Sequence, residues 1–169
     1  LAVKKITESR VEIREKLQDE VGRIFKSMYH GNREIKIDEY FKATPVVAKA
    51  GQDKKLDKST GLGTVVNYSF VAGLMNLAKQ SIVNDDEIGD PDSVNETYPL
   101  VMDAPFSNTD DEHIKNICRA LPSFCDQIVM FVMQKDFNYA AESISHKVGK
   151  MYRLVKLSET EATIREETL

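Results

Sequence analysis

The chain's architecture turns on the stretch Tyr98-Pro99-Leu100-Val101-Met102-Asp103-Ala104-Pro105-Phe106-Ser107-Asn108-Thr109-Asp110. Leu100 to Met102 is an apolar run that ends on a carboxylate, Asp103. A second apolar run spans Ile128 to Met133. Between the two, residues 113–121 place Ile114, Ile117, Cys118 and Leu121 on one side of a helix. Uninterrupted apolar strands are typical of parallel sheets covered on both faces. Strand, helix, strand in that order predicts a right-handed crossover, and so an α/β fold. An Asp at the end of a buried strand lies where open α/β sheets bind ligands. Nucleotide enzymes use such a carboxylate to hold magnesium through its water shell. The plainer reading is a helix or turn cap.

Working upstream, residues 64–83 carry Val65, Val66, Phe70, Val71, Leu74, Leu77 and Ile82, which predicts a helix apolar on most faces and therefore buried. Just before it stands Lys58-Ser59-Thr60-Gly61-Leu62-Gly63. A Ser/Gly turn opening a helix presents unpaired N–H groups, a hydroxyl and the positive end of the helix dipole, which together suit a terminal phosphate. The plainer reading is an N-cap with permissive glycines. Residues 84–97 form an acidic stretch that fails the calcium-loop pattern: with Gly89 at the sixth position, Ile88 and Asn95 fall where the fifth and twelfth ligands belong.

Residues 1–29 predict an amphipathic helix, with Ile13, Leu17, Val21, Ile24 and Met28 on one stripe and Gly31 suited to end it. The stripe suits either a surface helix or the end of a coiled coil. Ile35, Ile37 and Tyr40 suggest a strand and Val46-Val47 a second, with residues 51–58 as a polar loop. Downstream, residues 139–146 predict a helix, residues 151–157 a final strand, and residues 158–169 a charged tail.

The 169 residues are 41% hydrophobic and 30% charged, a balance that suits one soluble globular domain. No apolar run is long enough to span a membrane. The start has no signal-peptide pattern, so no membrane partner and a cytoplasmic location are expected. The net charge of −4 argues against a dedicated DNA-binding domain. Cys118 and Cys125 form neither a C-x-x-C pair nor a zinc set, which points to buried free thiols. A helix already under way at Leu1 suggests a fragment of a longer chain.

Taken together, the order of these segments resembles the C-terminal lobe of ATP-binding-cassette ATPases, across about residues 10–157. The likeness is greatest to the SMC, SbcC, RecN and DndD group, and the segment from Asp103 to Ser107 is nearest DndD-like DNA-modification or defence ATPases. Ser59 and Gly61 match the Ser-x-Gly of the signature, Leu100 to Asp103 the Walker B strand, and Ser107-Asn108-Thr109-Asp110 the D-loop. The resemblance implies a fold class: α/β, a C-terminal ATPase-head lobe with a mainly parallel sheet flanked by helices. It divides the chain into a coiled-coil-end helix at 1–29, the lobe at 30–157 and the tail at 158–169.

The resemblance also implies site residues. Asp103 would hold Mg2+ and position water. Ser59, Thr60, Gly61 and Gly63 would contact the ATP of an opposing head. Asn108 and Asp110 would line the seam of a head homodimer, and Gln134 would sense the γ-phosphate. Four positions depart from the pattern. Ala104 stands where many members carry a water-activating Glu, Lys58 and Leu62 replace the outer signature residues, and no histidine follows the last core strand. The general base falls to Asp110 or Asp136. No G-x-x-x-x-G-K-[ST] occurs in the sequence, so the phosphate loop is assigned to a missing N-terminal lobe and this chain alone should not turn over ATP. The implied setting is DNA repair, DNA modification or phage defence, with DNA engaged through the full-length protein. The rival reading is a catalytically decayed interaction module. A serine hydrolase using Ser59 or Ser107 lacks the G-x-S-x-G elbow.

Overall fold

The computed structural model describes residues 2–49, 52–55, 60–85, 99–107 and 109–168. Helix α1 (Ala2–Met28) buries the second half of its stripe completely: Leu17, Val21, Ile24, Phe25 and Met28. Val11 and Ile13, earlier on the same helix, are exposed. Helix α2 (Thr60–Asp85) packs along this buried half through Leu62, Val65, Val66, Ser69 and Ala72. The two helices come closest at Gly73, where a Cβ would lie 2.6 Å from Val21 Cγ2. Ser69 sits in the seam and donates its hydroxyl to the Val65 carbonyl (2.7 Å). Asn76 of α2 donates to Glu20 of α1 (2.7 Å), and Arg23 also holds Glu20 (2.6 Å).

A three-stranded antiparallel sheet flanks α1, in the order β1 (Glu34–Ile37), β2 (Ala43–Lys49), β3 (Gln52–Lys55). Ile35 and Ile37 alternate inward onto α1. The Gln18 amide docks β1 to that helix much as a neighbouring strand would, donating to the Ile35 carbonyl and accepting from the Ile37 N–H, each at 2.7 Å. Two expectations need correction. Tyr40 is no strand residue: the Asp38 carboxylate accepts from the Tyr40 and Lys42 N–H groups (2.9 Å each), which turns the chain and exposes Tyr40. Residues 52–55, read as polar loop, form β3, because an antiparallel edge strand can be solvated and needs no apolar alternation.

The strand–helix–strand unit is present as β4 (Leu100–Asp103), α3 (Asp111–Ala120) and β5 (Ile128–Phe131), with β4 and β5 parallel from Leu100↔Ile128 to Asp103↔Phe131. Leu100 and Met102 face the core with Ile114, Ile117, Cys118 and Leu121 of the crossover. Parallel pairing among the described strands is confined to this pair. Helix α4 (Gln134–Ile144) follows β5 and begins earlier than the apolar spacing indicated. Lys115 of α3 and Glu142 of α4 pair at 2.8 Å.

The region read as a charged tail contains a strand. β6 (Met151–Lys156) and β7 (Ala162–Glu167) form an antiparallel hairpin. Its charges pair across the strands, Arg153 with Glu167 (2.6 Å) and Lys150 with Glu166, which is why composition alone suggested a solvated tail. Helix α2, read as apolar on most faces and buried, is buried through Leu62, Val65, Val66 and Ala72, while Val71 and Leu74 are exposed. No described helix is long and apolar enough to cross a membrane. Both cysteines are free and buried, and burial pushes the Cys118 thiol up to about 12.

Candidate functional site

Two neighbouring groups of residues emerge. The first lies at the carboxyl end of the parallel pair. Asp103 closes β4 opposite Phe131, with its side chain on the exposed face. Among the described residues no group bonds its carboxylate. The Ala104 N–H extends the ladder to the Phe131 carbonyl (2.9 Å), and the chain then breaks away through a left-handed Ala104 at φ 45°. Two turns follow, Ser107 N–H to the Ala104 carbonyl (3.2 Å) and Thr109 N–H to the Phe106 carbonyl (3.0 Å). Buried Phe106 anchors them from below. Tyr68 of α2 anchors them from the side by donating to the Pro105 carbonyl (2.8 Å). Burial, then the nearby Cys118 thiol, pushes the Tyr68 phenol up to about 12, so it remains a donor.

Gln134 is the first residue of α4, three residues past β5, which brings it to the same sheet end as Asp103. Its amide donates to Asn138 (3.3 Å). Met133 precedes it as an N-cap with no side-chain bond, leaving the first N–H groups of α4 uncapped by that residue. Asp136, in the same first turn, is buried.

The second group joins the start of α2 to the turn before α3. The helix begins at Thr60, earlier than the apolar pattern indicated, and so takes Gly61 and Gly63 into its first turn. Buried Leu62 fixes that turn in the core. A Cβ on Gly61 would lie 3.5 Å from Asp110 Oδ2, whereas one on Gly63 would meet nothing within 4 Å. Thr109 and Thr64 join their hydroxyls across the same gap at 3.5 Å. Ser59 and Asn108 lie outside the described residues, and the Thr60 side chain is likewise not described.

Asp110 caps α3, accepting from the His113 N–H at 3.0 Å. The His113 ring reaches back to the same carboxylate, Nδ1 lying 2.7 and 2.6 Å from its two oxygens. Partial burial alone would raise the Asp110 carboxyl. The backbone and ring bonds from His113 outweigh it and hold the group below the usual carboxylate range. The other face of His113 stacks on Tyr29 at the end of α1, centroids 5.9 Å apart, and Tyr29 stacks on Phe25 at 5.1 Å. Neither contact of His113 was read from the sequence. The i, i+3 spacing from a capping Asp was the available signal for the first contact; nothing local signals the second.

A single accessible carboxylate at a strand's carboxyl end suits magnesium held mainly by water and phosphate oxygens rather than by a protein cage. Among the described residues, no group of three or more His, Cys, Asp or Glu could hold a metal ion by itself. The start of α2 offers first-turn N–H groups to an anion, with the Asp110 charge beside them. No residue set in the sequence supplies a phosphate-cradling loop.

No protein-family model matches the sequence, and no curated protein sequence is detectably similar to it. Solved structures do resemble it, and the class they define is the head of SMC ATPases. One is a chain from work on ATP-driven dimerization and DNA-stimulated activation of SMC ATPases, with a TM-score of 0.57 at 10% identity over 93% of this chain and 86% of that one. Another is the SMC head domain from Thermotoga maritima, with a TM-score of 0.57 at 13% identity over 94% of this chain and 50% of that one. The chain thus has the α/β fold of part of an SMC ATPase head and spans half the length of the Thermotoga head domain.

Proposed function

We propose that this chain is the C-terminal lobe of an SMC-like ATPase head, which completes a nucleotide site only when joined to an N-terminal lobe bearing the phosphate loop. The observation that carries this reading is the parallel pair itself. Parallel strands occur covered on both faces. Here Val101 and Phe131 are each 60% exposed on the outer face, neither strand has a second neighbour among the described strands, and the partnerless Asp103 sits at the end of that open face. A lobe that covered this face would place its own groups beside Asp103.

In this reading Asp103 holds the magnesium and orients the attacking water. Ser59, Thr60, Gly61 and Gly63 address the γ-phosphate bound by an opposing head. Asn108 and Asp110 line the seam between two heads, and Gln134 responds to the γ-phosphate from the start of α4. Bound Mg–ATP supplies a charge that bridges two surfaces before hydrolysis and not after it, so head pairing follows the nucleotide state. Helix α1, which leaves Val11 and Ile13 exposed ahead of its buried half, is the end of a coiled-coil arm. ATP-driven dimerization and DNA-stimulated activation, reported for SMC ATPases, would be properties of the full-length protein, in repair, modification or defence of DNA.

The test is ATP binding and hydrolysis by the full-length protein. The expected result is magnesium-dependent turnover that Asp103→Asn abolishes, and ATP-dependent dimerisation that Ser59→Arg abolishes with the fold intact. This chain alone should show no turnover. Absence of magnesium-dependent ATP binding in the full-length protein would overturn the reading in favour of a decayed interaction module. Ala104, in place of a water-activating Glu, is the residue that favours that second reading.

A further inference from the structure

Asp110 stands where two helix starts converge: it caps α3, and it lies against Gly61 in the first turn of α2. Its orientation is not left to the turn alone. The His113 ring, only 23% exposed at its side chain, bonds the carboxylate through Nδ1 on one side and stacks on Tyr29 on the other. Tyr29 in turn has little freedom. Its N–H bonds the Phe25 carbonyl (2.8 Å), its ring stacks on fully buried Phe25, and its phenol lies over Gly31 so closely that any Cβ there would overlap it. Gly31 is therefore required for this aromatic placement and not only to end α1. The result is a continuous line of contacts, Phe25, Tyr29, His113, Asp110, Gly61, running from the core end of α1 to the start of α2.

We infer that His113 is a positioning residue that ties the Asp110 turn to the end of α1, so that the setting of Asp110 against the start of α2 follows the lie of α1. The ring is needed for its two-sided geometry: a donor at Nδ1 for the carboxylate and an aromatic face for Tyr29. An amide side chain can supply the donor and cannot supply the face. The tie goes beyond the ATPase reading and does not depend on it, since every contact in it is between residues of this chain. If that reading holds, the tie links the arm to the seam between heads.

Glycine-selective 15N labelling of the full chain reports on both ends, through the Gly61 signal at α2 and the Gly149 signal as a remote control. Tyr29→Leu removes the stack at a site that touches neither Asp110 nor Gly61. The expected result is a shift of the Gly61 signal in Tyr29→Leu, a shift in the same direction in His113→Asn, which keeps a donor for Asp110 and loses the ring, and no further movement in the double variant. Tyr29→Phe, which keeps the stack, should return Gly61 to its wild-type position, and Gly149 should not move in any of them. A Gly61 signal unmoved by Tyr29→Leu would overturn the tie, as would shifts that add in the double variant. Should Tyr29→Leu fail to fold, His113→Asn and Tyr29→Phe still decide: Gly61 unmoved by the loss of the ring overturns the inference.

Discussion

Ala104 illustrates how much one residue can conceal. Its place directly after the carboxylate that ends β4 was readable from the sequence. Its left-handed conformation was not, because alanine carries no turn signal of its own. The φ of 45° is imposed by Asp103 remaining in the ladder while Phe106 must reach the core and Pro105 must meet Tyr68. A Cβ in that region costs about 1–2 kcal/mol, of which glycine's extra freedom in the unfolded chain takes back about 0.4–1 kcal/mol. Ala104→Gly should therefore raise stability by roughly 0.5–1 kcal/mol, readable as a higher urea midpoint with an unchanged slope. Asp110 gives a second residue-level test. Its carboxyl is held below the usual range, so its contribution is complete above the unfolded value of about 3.9 and fades as pH falls through the folded value. Below about pH 4 stability should therefore drop more steeply in the wild type than in Asp110→Asn. Because the side chain is 61% exposed, the difference should stay under about 1 kcal/mol.

At the scale of elements, α1 and α2 set the frame, and two glycines on them make opposite predictions. Gly73 permits the close crossing, since its Cβ would press into Val21, a buried branched side chain with no room to swing aside. Gly73→Ala should lose about 1–3 kcal/mol to overpacking, despite alanine's better helix propensity. Gly22, one residue along on α1, faces nothing closer than Gln18 Nε2 at 4.0 Å, so Gly22→Ala should gain roughly 0.5–1 kcal/mol from helix propensity. Thermal unfolding of the pair separates the two effects. The sequence shows both glycines and cannot tell them apart, because the difference lies in what crosses them. The same limit governs the other elements. α3 was legible because burial wrote a period into it, with Ile114, Ile117 and Cys118 on one face, and β4 and β5 because they are unbroken apolar runs. β3, β7 and the early starts of α2 and α4 were not. Those stretches are held by cross-strand pairing, by one buried Leu62 or by chain continuity, none of which leaves a repeating pattern. The candidate site was legible in the same measure. Asp103, Gly61, Asp110 and Gln134 could be singled out as candidates from their order, while the contacts of Tyr68 with Pro105 and of Tyr29 with His113 join residues 37 or more apart and are seen only in the fold.

Over the whole molecule, apolar surface is distributed unevenly. One contiguous core joins α1, α2, β1, β4 and α3, yet Val101, Val129 and Phe131 remain exposed on the outer face of the parallel pair. Tyr152, Leu154 and Ile164 remain exposed on one face of the β6–β7 hairpin. A two-stranded hairpin is marginal by itself in water, and scattered exposed apolar residues are ordinary, whereas faces of this kind mark contacts still to be made. Substitution at Phe131 distinguishes the two cases. If the face were merely solvated, Phe131→Lys would change little anywhere, since exposed positions usually tolerate change within about 0.5 kcal/mol. If a second lobe covers it, the same substitution should leave this chain's own stability within that margin and yet weaken joining to the N-terminal half. Burying an unpaired ammonium costs several kcal/mol, enough to convert a stably joined head into separable halves. Co-purification of the two halves, expressed as separate chains, reads this directly. Wild type should travel as one species on gel filtration and Phe131→Lys as two, with Tyr40→Lys, at an exposed turn after β1, joining as the wild type does. Equal joining by both variants would mean that the open face of β4 and β5 is not where the proposed N-terminal lobe docks.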